Sequence, residues 1–115
     1  MESNQIKDII IELLKAKKAS DIVVIDVGEQ TIIADFFIIA TGKSTTQVKA
    51  LTDQLEEKGE EKGLVLLRRD GEREARWVVM DYGAVIVHIF NDSMRDFYAL
   101  EKLWAKENNV TKIED

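Results

Sequence analysis

The chain has 115 residues, of which 45% are apolar and 33% are charged, and its formal net charge is −6. This length and composition are typical of a single packed domain, here residues 1–115. The absence of cysteine excludes disulfides, thiolate metal ligands and a cysteine nucleophile. The acidic balance disfavours direct nucleic-acid binding, which needs clustered basic residues, and favours a basic protein partner.

The apolar runs are only strand-length, too short to cross a membrane. The N-terminus lacks the basic segment and apolar core of a signal peptide. We therefore expect a soluble, cytoplasmic protein with no membrane partner.

The first predicted helix covers residues 4–18, with Ser3 or Asn4 as its cap. Its apolar residues recur at helical spacing and form one stripe: Ile6, Ile9, Ile10, Leu13 and Leu14. We expect this stripe to pack on the domain's own sheet, although a dimer interface could use it.

Two strands are predicted next, at residues 22–27 and 35–41, because β-branched and aromatic residues dominate both. Residues 44–47 read S-T-T-Q, which has the form of a capping box and predicts the start of a second helix. That helix should run to about Lys62, where Gly63 can adopt the left-handed conformation that ends helices.

Three further strands are predicted at residues 64–67, 75–80 and 84–90, with a hairpin signal at Asp70-Gly71. Asn91 or Asp92 should cap a final helical stretch whose apolar residues are Met94, Phe97, Tyr98, Leu100, Leu103 and Trp104. The polar residues 107–115 are predicted to be a flexible tail, which leaves 4–104 as the structured core. The order α-β-β-α-β-β-β-α predicts an α/β domain with a mixed five-stranded sheet and helices mainly on one face.

Residues 77–90 predict a hairpin that turns at residues 81–84. In the simplest register Asp81 faces Ala84 and Trp77 faces His88. The period of two places one wholly apolar set on one face: Val78, Met80, Val85, Val87 and Ile89. The other face mixes apolar and polar side chains and is a candidate partner surface: Trp77, Val79, Asp81, Ile86, His88 and Phe90.

No catalytic, metal or cofactor site is predicted. Thr41-Gly42-Lys43-Ser44 resembles the end of a phosphate-binding loop, but Phe37 stands where that loop needs its first glycine. His88 is the only histidine, and we interpret it either as a strand residue stacked on Trp77 and hydrogen-bonded or as a residue that recognises a partner, rather than as a catalytic group. Trp77 is equally a core residue or an interface anchor. Asp81 either begins the turn or receives a basic residue of a partner.

The chain resembles the ribosomal silencing factor family, also called Iojap-like. The resemblance depends on A-D-F-F-I-I-A-T-G at residues 34–42, followed by Ser44 and Q-V-K-A-L at 47–51. It continues with W-V-V-M-D-Y-G at 77–83, V-H-I-F at 87–90 and R-D-F-Y-A-L-E-K-L-W at 95–104. These motifs occur in the family's order and cover nearly the whole chain.

The resemblance implies a nucleotidyltransferase-like fold without enzymatic activity. It implies binding to the large ribosomal subunit through its basic ribosomal protein fourteen, which blocks joining of the small subunit and represses translation when nutrients are scarce. The alternatives are a large-subunit assembly factor, as in organelles, or a nucleotidyltransferase-like enzyme. A homodimer is also possible, and no sequence-specific nucleic-acid contact is expected. The face assignment and the motifs together suggest these partner-binding residues: Trp77, Met80, Asp81, Tyr82, His88, Phe90 and Arg95.

Overall fold

The computed structural model describes residues 1–93, 95, 100–106 and 108–114. Its elements are α1 (Ser3–Ala16), β1 (Ser20–Asp26), β2 (Phe36–Gly42), α2 (Thr45–Glu61), β3 (Arg68–Asp70), β4 (Trp77–Asp81), β5 (Val85–Asn91), α3 (Leu100–Trp104) and β6 (Val110–Lys112). The predicted element order is confirmed, with one further strand at its end. The final helix was also predicted to include Met94 and residues 96–99, which lie outside the described residues.

The described strands form one sheet in the order β3-β4-β5-β2-β1-β6. Strands β2 and β5 are parallel, and the other neighbouring pairs are antiparallel. The prediction of a mixed sheet is therefore confirmed. Helix α2 leads from β2 to the sheet edge at β3, and the hairpin then returns the chain to pair β5 with β2. The third strand begins at Arg68 rather than at Leu64, because Leu64 completes the end of α2.

The prediction of five strands and a flexible tail is wrong for residues 110–112, which form β6 on the free edge of β1. Val110 pairs with Ile25 and Lys112 with Val23. The Asn109 side chain precedes this strand and donates to the carbonyl oxygens of Asp26 and Trp104, each at 3.0 Å. A short polar segment thus gains order from a sheet edge that offers unpaired backbone groups.

Helices α1 and α2 cover one face of the sheet and bury its apolar side chains. This face contains Val78, Met80, Val85, Val87 and Ile89, all of them fully buried as predicted. Helix α1 contributes Ile10, Leu13 and Leu14 from its apolar stripe. Burying a side chain of this size stabilises the fold by about 1.5–3 kcal/mol. The arrangement of helices mainly on one face is confirmed.

The ends of α2 follow from local sequence. Ser44 Oγ accepts a hydrogen bond from the Gln47 backbone N–H at 3.1 Å, as the capping motif predicts. At the other end Gly63 has φ +91°, and the Leu64 N–H donates to the Gly59 carbonyl at 2.8 Å. The positive φ of Gly63 and this hydrogen bond are features of a Schellman motif. Helix α1 differs, because Glu2 is its cap instead of Ser3 or Asn4, and the Gln5 side chain accepts from the Glu2 backbone N–H at 3.0 Å.

Candidate partner-binding surface

The hairpin formed by β4 and β5 turns at Gly83-Ala84. Trp77 pairs with Phe90 and Asp81 with Ile86, so the predicted register is wrong by two residues. The cause is local: Gly83 takes φ +84°, a value that tyrosine adopts only at a cost, and its N–H donates to Asp81 Oδ1 at 2.7 Å. A shift of the strand register by two residues leaves every side chain on the same face of the sheet, so the face assignment is confirmed.

Aromatic side chains meet on the sheet face opposite α1 and α2, and we refer to Phe37, Trp77, His88, Phe90 and Trp104 as the aromatic cluster. Trp77 stacks on Phe90 with ring centroids 5.2 Å apart, and its Nε1–H donates to His88 Nδ1 at 3.1 Å. Phe37 contacts both His88 and Trp104 edge to face, at 5.3 and 5.1 Å. The cluster thus anchors α3 to the sheet and holds the Trp77 indole in one orientation.

His88 is a neutral, buried part of this cluster. Its side chain is only 7% exposed, and burial lowers the pKa of His88 to about 4. Because Nδ1 accepts the Trp77 hydrogen bond, the proton resides on Nε2, which has no hydrogen-bond partner among the described residues. The prediction that His88 is hydrogen-bonded is confirmed, with Trp77 as its partner, but the two rings are tilted by 34° and are not stacked as predicted. A neutral imidazole in this position orients Trp77 and brings no charge to a partner.

Four of the suggested partner residues are buried, which argues against direct contact by them in this conformation. Met80 is fully buried beneath the helices, and Tyr82 is 6% exposed. Phe90 and His88 are buried within the aromatic cluster and are 1% and 7% exposed. Burial, and then the nearby Glu56 carboxylate, raises the pKa of Tyr82 to about 12. The contacts of these four side chains in the described structure are therefore internal.

We refer to the accessible part of the hairpin as the hairpin surface. It consists of four partly buried residues: Trp77, Val79, Asp81 and Ile86. Arg68 on β3 pairs with Asp81 in the sheet, while its guanidinium forms an ion pair with Asp70 at 2.9 Å. Asp81 therefore places a carboxylate beside an apolar strip. Val79 and Ile86 share this face in the sequence pattern, yet sequence reasoning did not single them out as contacts.

Arg95 makes intramolecular bonds. Its Nε donates to Glu101 Oε1 at 2.9 Å, and its Nη1 donates to Thr41 Oγ1 at 2.7 Å and to the Asp21 carbonyl. The side chain is only 11% exposed. Arg95 thus ties the segment after β5 to the ends of β1 and β2.

Sequence reasoning missed a set of exposed apolar side chains near the end of the sheet where β2 and β5 begin. Ile32 and Ile33 lie in the connection between β1 and β2, and Val65 and Leu67 lie just before β3. Each is at least 64% exposed, and Ile32 is fully exposed. The sequence contained no distinguishing signal, because short apolar runs also indicate strands.

Gly42, the glycine of the weak phosphate-loop resemblance, serves packing. A Cβ at this position would lie 2.8 Å from Val48 Cγ2, so only glycine lets α2 start so close to the end of β2.

In the described part of the chain no helix is long and apolar enough to cross a membrane.

Comparison with known proteins identifies the family. A family model described as "Ribosomal silencing factor during starvation" matches residues 1–115. The chain belongs to this family. It is 36% identical over 110 residues to the ribosomal silencing factor of Halalkalibacterium halodurans, covering 96% of this chain and 94% of that protein. Ribosomal silencing factors are regulatory proteins rather than enzymes.

A solved structure and an organelle relative extend the comparison. The crystal structure of a Chromobacterium violaceum protein superimposes with a TM-score of 0.89 at 33% identity, covering 100% of this chain and 95% of that one. A mouse protein named for mitochondrial assembly of the ribosomal large subunit is 29% identical, over 85% of this chain and 44% of its own length. The predicted fold and family resemblance are both confirmed.

Proposed function

We propose that this ribosomal silencing factor binds the large ribosomal subunit through its basic ribosomal protein fourteen and sterically blocks joining of the small subunit. Translation is then repressed when nutrients are limiting. The observation that supports this proposal most is the hairpin surface, where a partly exposed indole and a carboxylate lie at the two ends of β4 on one face of an acidic domain.

Trp77 has the features of an interface anchor. Its ring is stacked on Phe90 and its N–H is bound by His88, so little side-chain entropy remains to be lost when a partner covers it. Tryptophan residues are enriched among the side chains that dominate binding energy. Asp81 adds a negative charge that complements a basic partner and favours the correct orientation.

The direct test measures co-sedimentation of the protein with isolated large subunits and the yield of joined ribosomes when small subunits are added. The proposal expects stoichiometric co-sedimentation and a dose-dependent fall in joined ribosomes. Binding without any effect on joining would contradict the blocking mechanism, and absence of binding would contradict the proposal as a whole.

The role of Trp77 is tested with Trp77→Ala, using Leu103→Ala as the matched control. Leu103 is 74% exposed and lies on α3, outside the hairpin surface. A folded Trp77→Ala variant should bind large subunits at least about tenfold more weakly, because hot-spot truncation costs about 2 kcal/mol or more. Unchanged affinity in a variant with native circular dichroism would remove Trp77 from the interface.

A second candidate function is assembly of the large subunit, which the name of the mouse relative favours. Depleting the protein distinguishes the two functions. An assembly factor predicts accumulation of incomplete large subunits during rapid growth. A silencing factor predicts normal subunits and excessive joining during starvation.

A further inference from the structure

The fold collects cations into an open cleft that no single stretch of the sequence reveals. The cleft has a volume of about 1070 Å³ and is lined by Lys15, Lys18, Lys43, Arg95 and Lys112, among other residues. These five come from the end of α1, the turn after it, the loop before α2, the segment after β5, and β6. We refer to this feature as the basic cleft.

The lysines of the basic cleft have charges available for an external ligand. Among the described residues, Lys15, Lys18, Lys43 and Lys112 are exposed and form no ion pair. Three carboxylates also line the cleft, those of Asp21, Glu101 and Glu114. Glu101 is paired with Arg95 at 2.9 Å, so four unpaired ammonium groups remain against two carboxylates.

The backbone of the cleft is held in place by two side chains. Gln47 joins two lysine-bearing segments, because its Oε1 accepts from the Lys43 N–H at 2.6 Å and its Nε2 donates to the Lys18 carbonyl at 3.3 Å. Arg95, which lines the cleft, donates to Thr41 Oγ1 at 2.7 Å and to the carbonyl of Asp21, another lining residue. The lysines are thus presented from a preorganised frame, which lowers the entropy cost of binding.

We propose that the basic cleft binds the phosphate groups of an RNA strand on the large ribosomal subunit. This inference rests on the proposed function, since it needs the protein to be seated on the subunit. The net charge of −6 opposes free association with naked RNA. Once the hairpin surface holds a ribosomal protein, nearby phosphates meet unpaired ammonium groups at short range, where the local charge decides the interaction.

The chemistry of the cleft indicates phosphate recognition without base recognition. Its available cations are flexible lysines, which bind phosphate as point charges rather than by the bidentate geometry that reads bases. Exposed lysines on an open cleft suit a strand that passes over the surface better than a small ligand, which is usually enclosed by its pocket.

The first experiment measures binding to isolated large subunits as a function of salt. The cleft variant is Lys18→Glu with Lys43→Glu, and the matched control is Lys49→Glu with Lys62→Glu, which changes the net charge equally at exposed positions on and after α2. The cleft variant should bind at least tenfold more weakly. Its slope of log affinity against log salt should be shallower by about 1.4–1.8, because two phosphate contacts are lost and each removes about 0.7–0.9.

Equal losses in both variants, or no loss in either, would overturn the cleft proposal while leaving subunit binding intact. If the wild-type protein itself failed to bind subunits, the proposed function would fail as well. Thermal unfolding of both variants checks that each remains folded.

The second experiment identifies what lies in the cleft. Because the chain has no cysteine, Lys43→Cys provides a unique site for a photoreactive label. Cross-linking on the large subunit should yield RNA adducts, whereas label at Lys62→Cys should not cross-link to the same RNA. Adducts to protein alone would overturn the proposal. Saturable binding of ATP to the free protein, lost in the cleft variant, would also overturn it in favour of a soluble phosphate ligand.

Discussion

At the scale of single residues, His88 makes stability depend on pH. Its folded pKa of about 4 lies below the ordinary value of 6.5, so the unfolded chain binds more protons between these values. Stability contributed by neutral His88 is therefore present above pH 6.5 and is lost as the pH falls towards 4. Between pH 7 and pH 5 the loss should be about 2 kcal/mol.

Urea unfolding of the wild type and of His88→Phe at both pH values measures this contribution. Phenylalanine cannot titrate, so the difference in pH dependence between the two proteins isolates the imidazole from the carboxylates. Identical pH dependence in both would show that His88 is not held neutral by burial.

Trp77 and His88 also show which features of the fold the sequence alone can predict and which it cannot. The period of two correctly placed Trp77 and His88 on one face, because alternation is a local property of a strand. It could not predict that Trp104 would be held against that face through Phe37, since this contact joins segments far apart in the chain. The burial of His88 and Phe90 therefore became visible only in the fold.

At the scale of elements, the hairpin turn depends on Gly83. Its φ of +84° lies in the region that side chains with a Cβ adopt only at a cost. Gly83→Ala should lower the free energy of unfolding by about 1–2 kcal/mol. Gly28→Ala is the matched control, because Gly28 does not have a positive φ and its nearest Cβ contact would be an ordinary 3.5 Å. Equal stability of the two variants in urea would contradict the role of this turn.

The attachment of β6 depends on Asn109. Its side-chain amide donates to Asp26, Trp104 and Gln30, and its Oδ1 accepts from the Lys106 N–H at 2.5 Å. Asn109→Ala should destabilise the protein by about 1–3 kcal/mol, since several bonds are lost together. Asn108→Ala, at an exposed neighbour, should change stability by less than about 0.5 kcal/mol. Thermal unfolding compares them, and a neutral Asn109→Ala would show that the strand is held by its backbone alone.

Elements whose ends are marked by nearby residues were predicted well. Elements that depend on residues far apart in the chain were not. The capping residues of α2 and its final glycine act within a few positions, so the sequence alone located both ends of the helix closely. Strand β6 forms because β1 offers a free edge to a polar segment, and no local pattern indicates that. The basic cleft likewise requires five segments to meet, which composition and spacing cannot reveal.

At the scale of the whole molecule, the proposed functions assign different partners to two regions of opposite charge. The hairpin surface presents Asp81 towards a basic protein, and the basic cleft presents lysines towards RNA. If only the net charge mattered, removing any carboxylate would change binding equally, because long-range attraction depends on the summed charge. If the distribution of charge over the surface matters, the effect on binding depends on where the removed charge lies.

Asp81→Asn and Glu57→Gln separate these two cases, since each removes one negative charge. Asparagine retains the oxygen that accepts from Gly83, so the turn should survive. Asp81→Asn should weaken binding to large subunits by about three- to tenfold, because it removes a charge-assisted contact. Glu57→Gln, on the exposed side of α2, should leave the affinity unchanged within about twofold. Equal effects of both substitutions on affinity would mean that attraction to the subunit comes from overall charge and that the hairpin surface is not the contact.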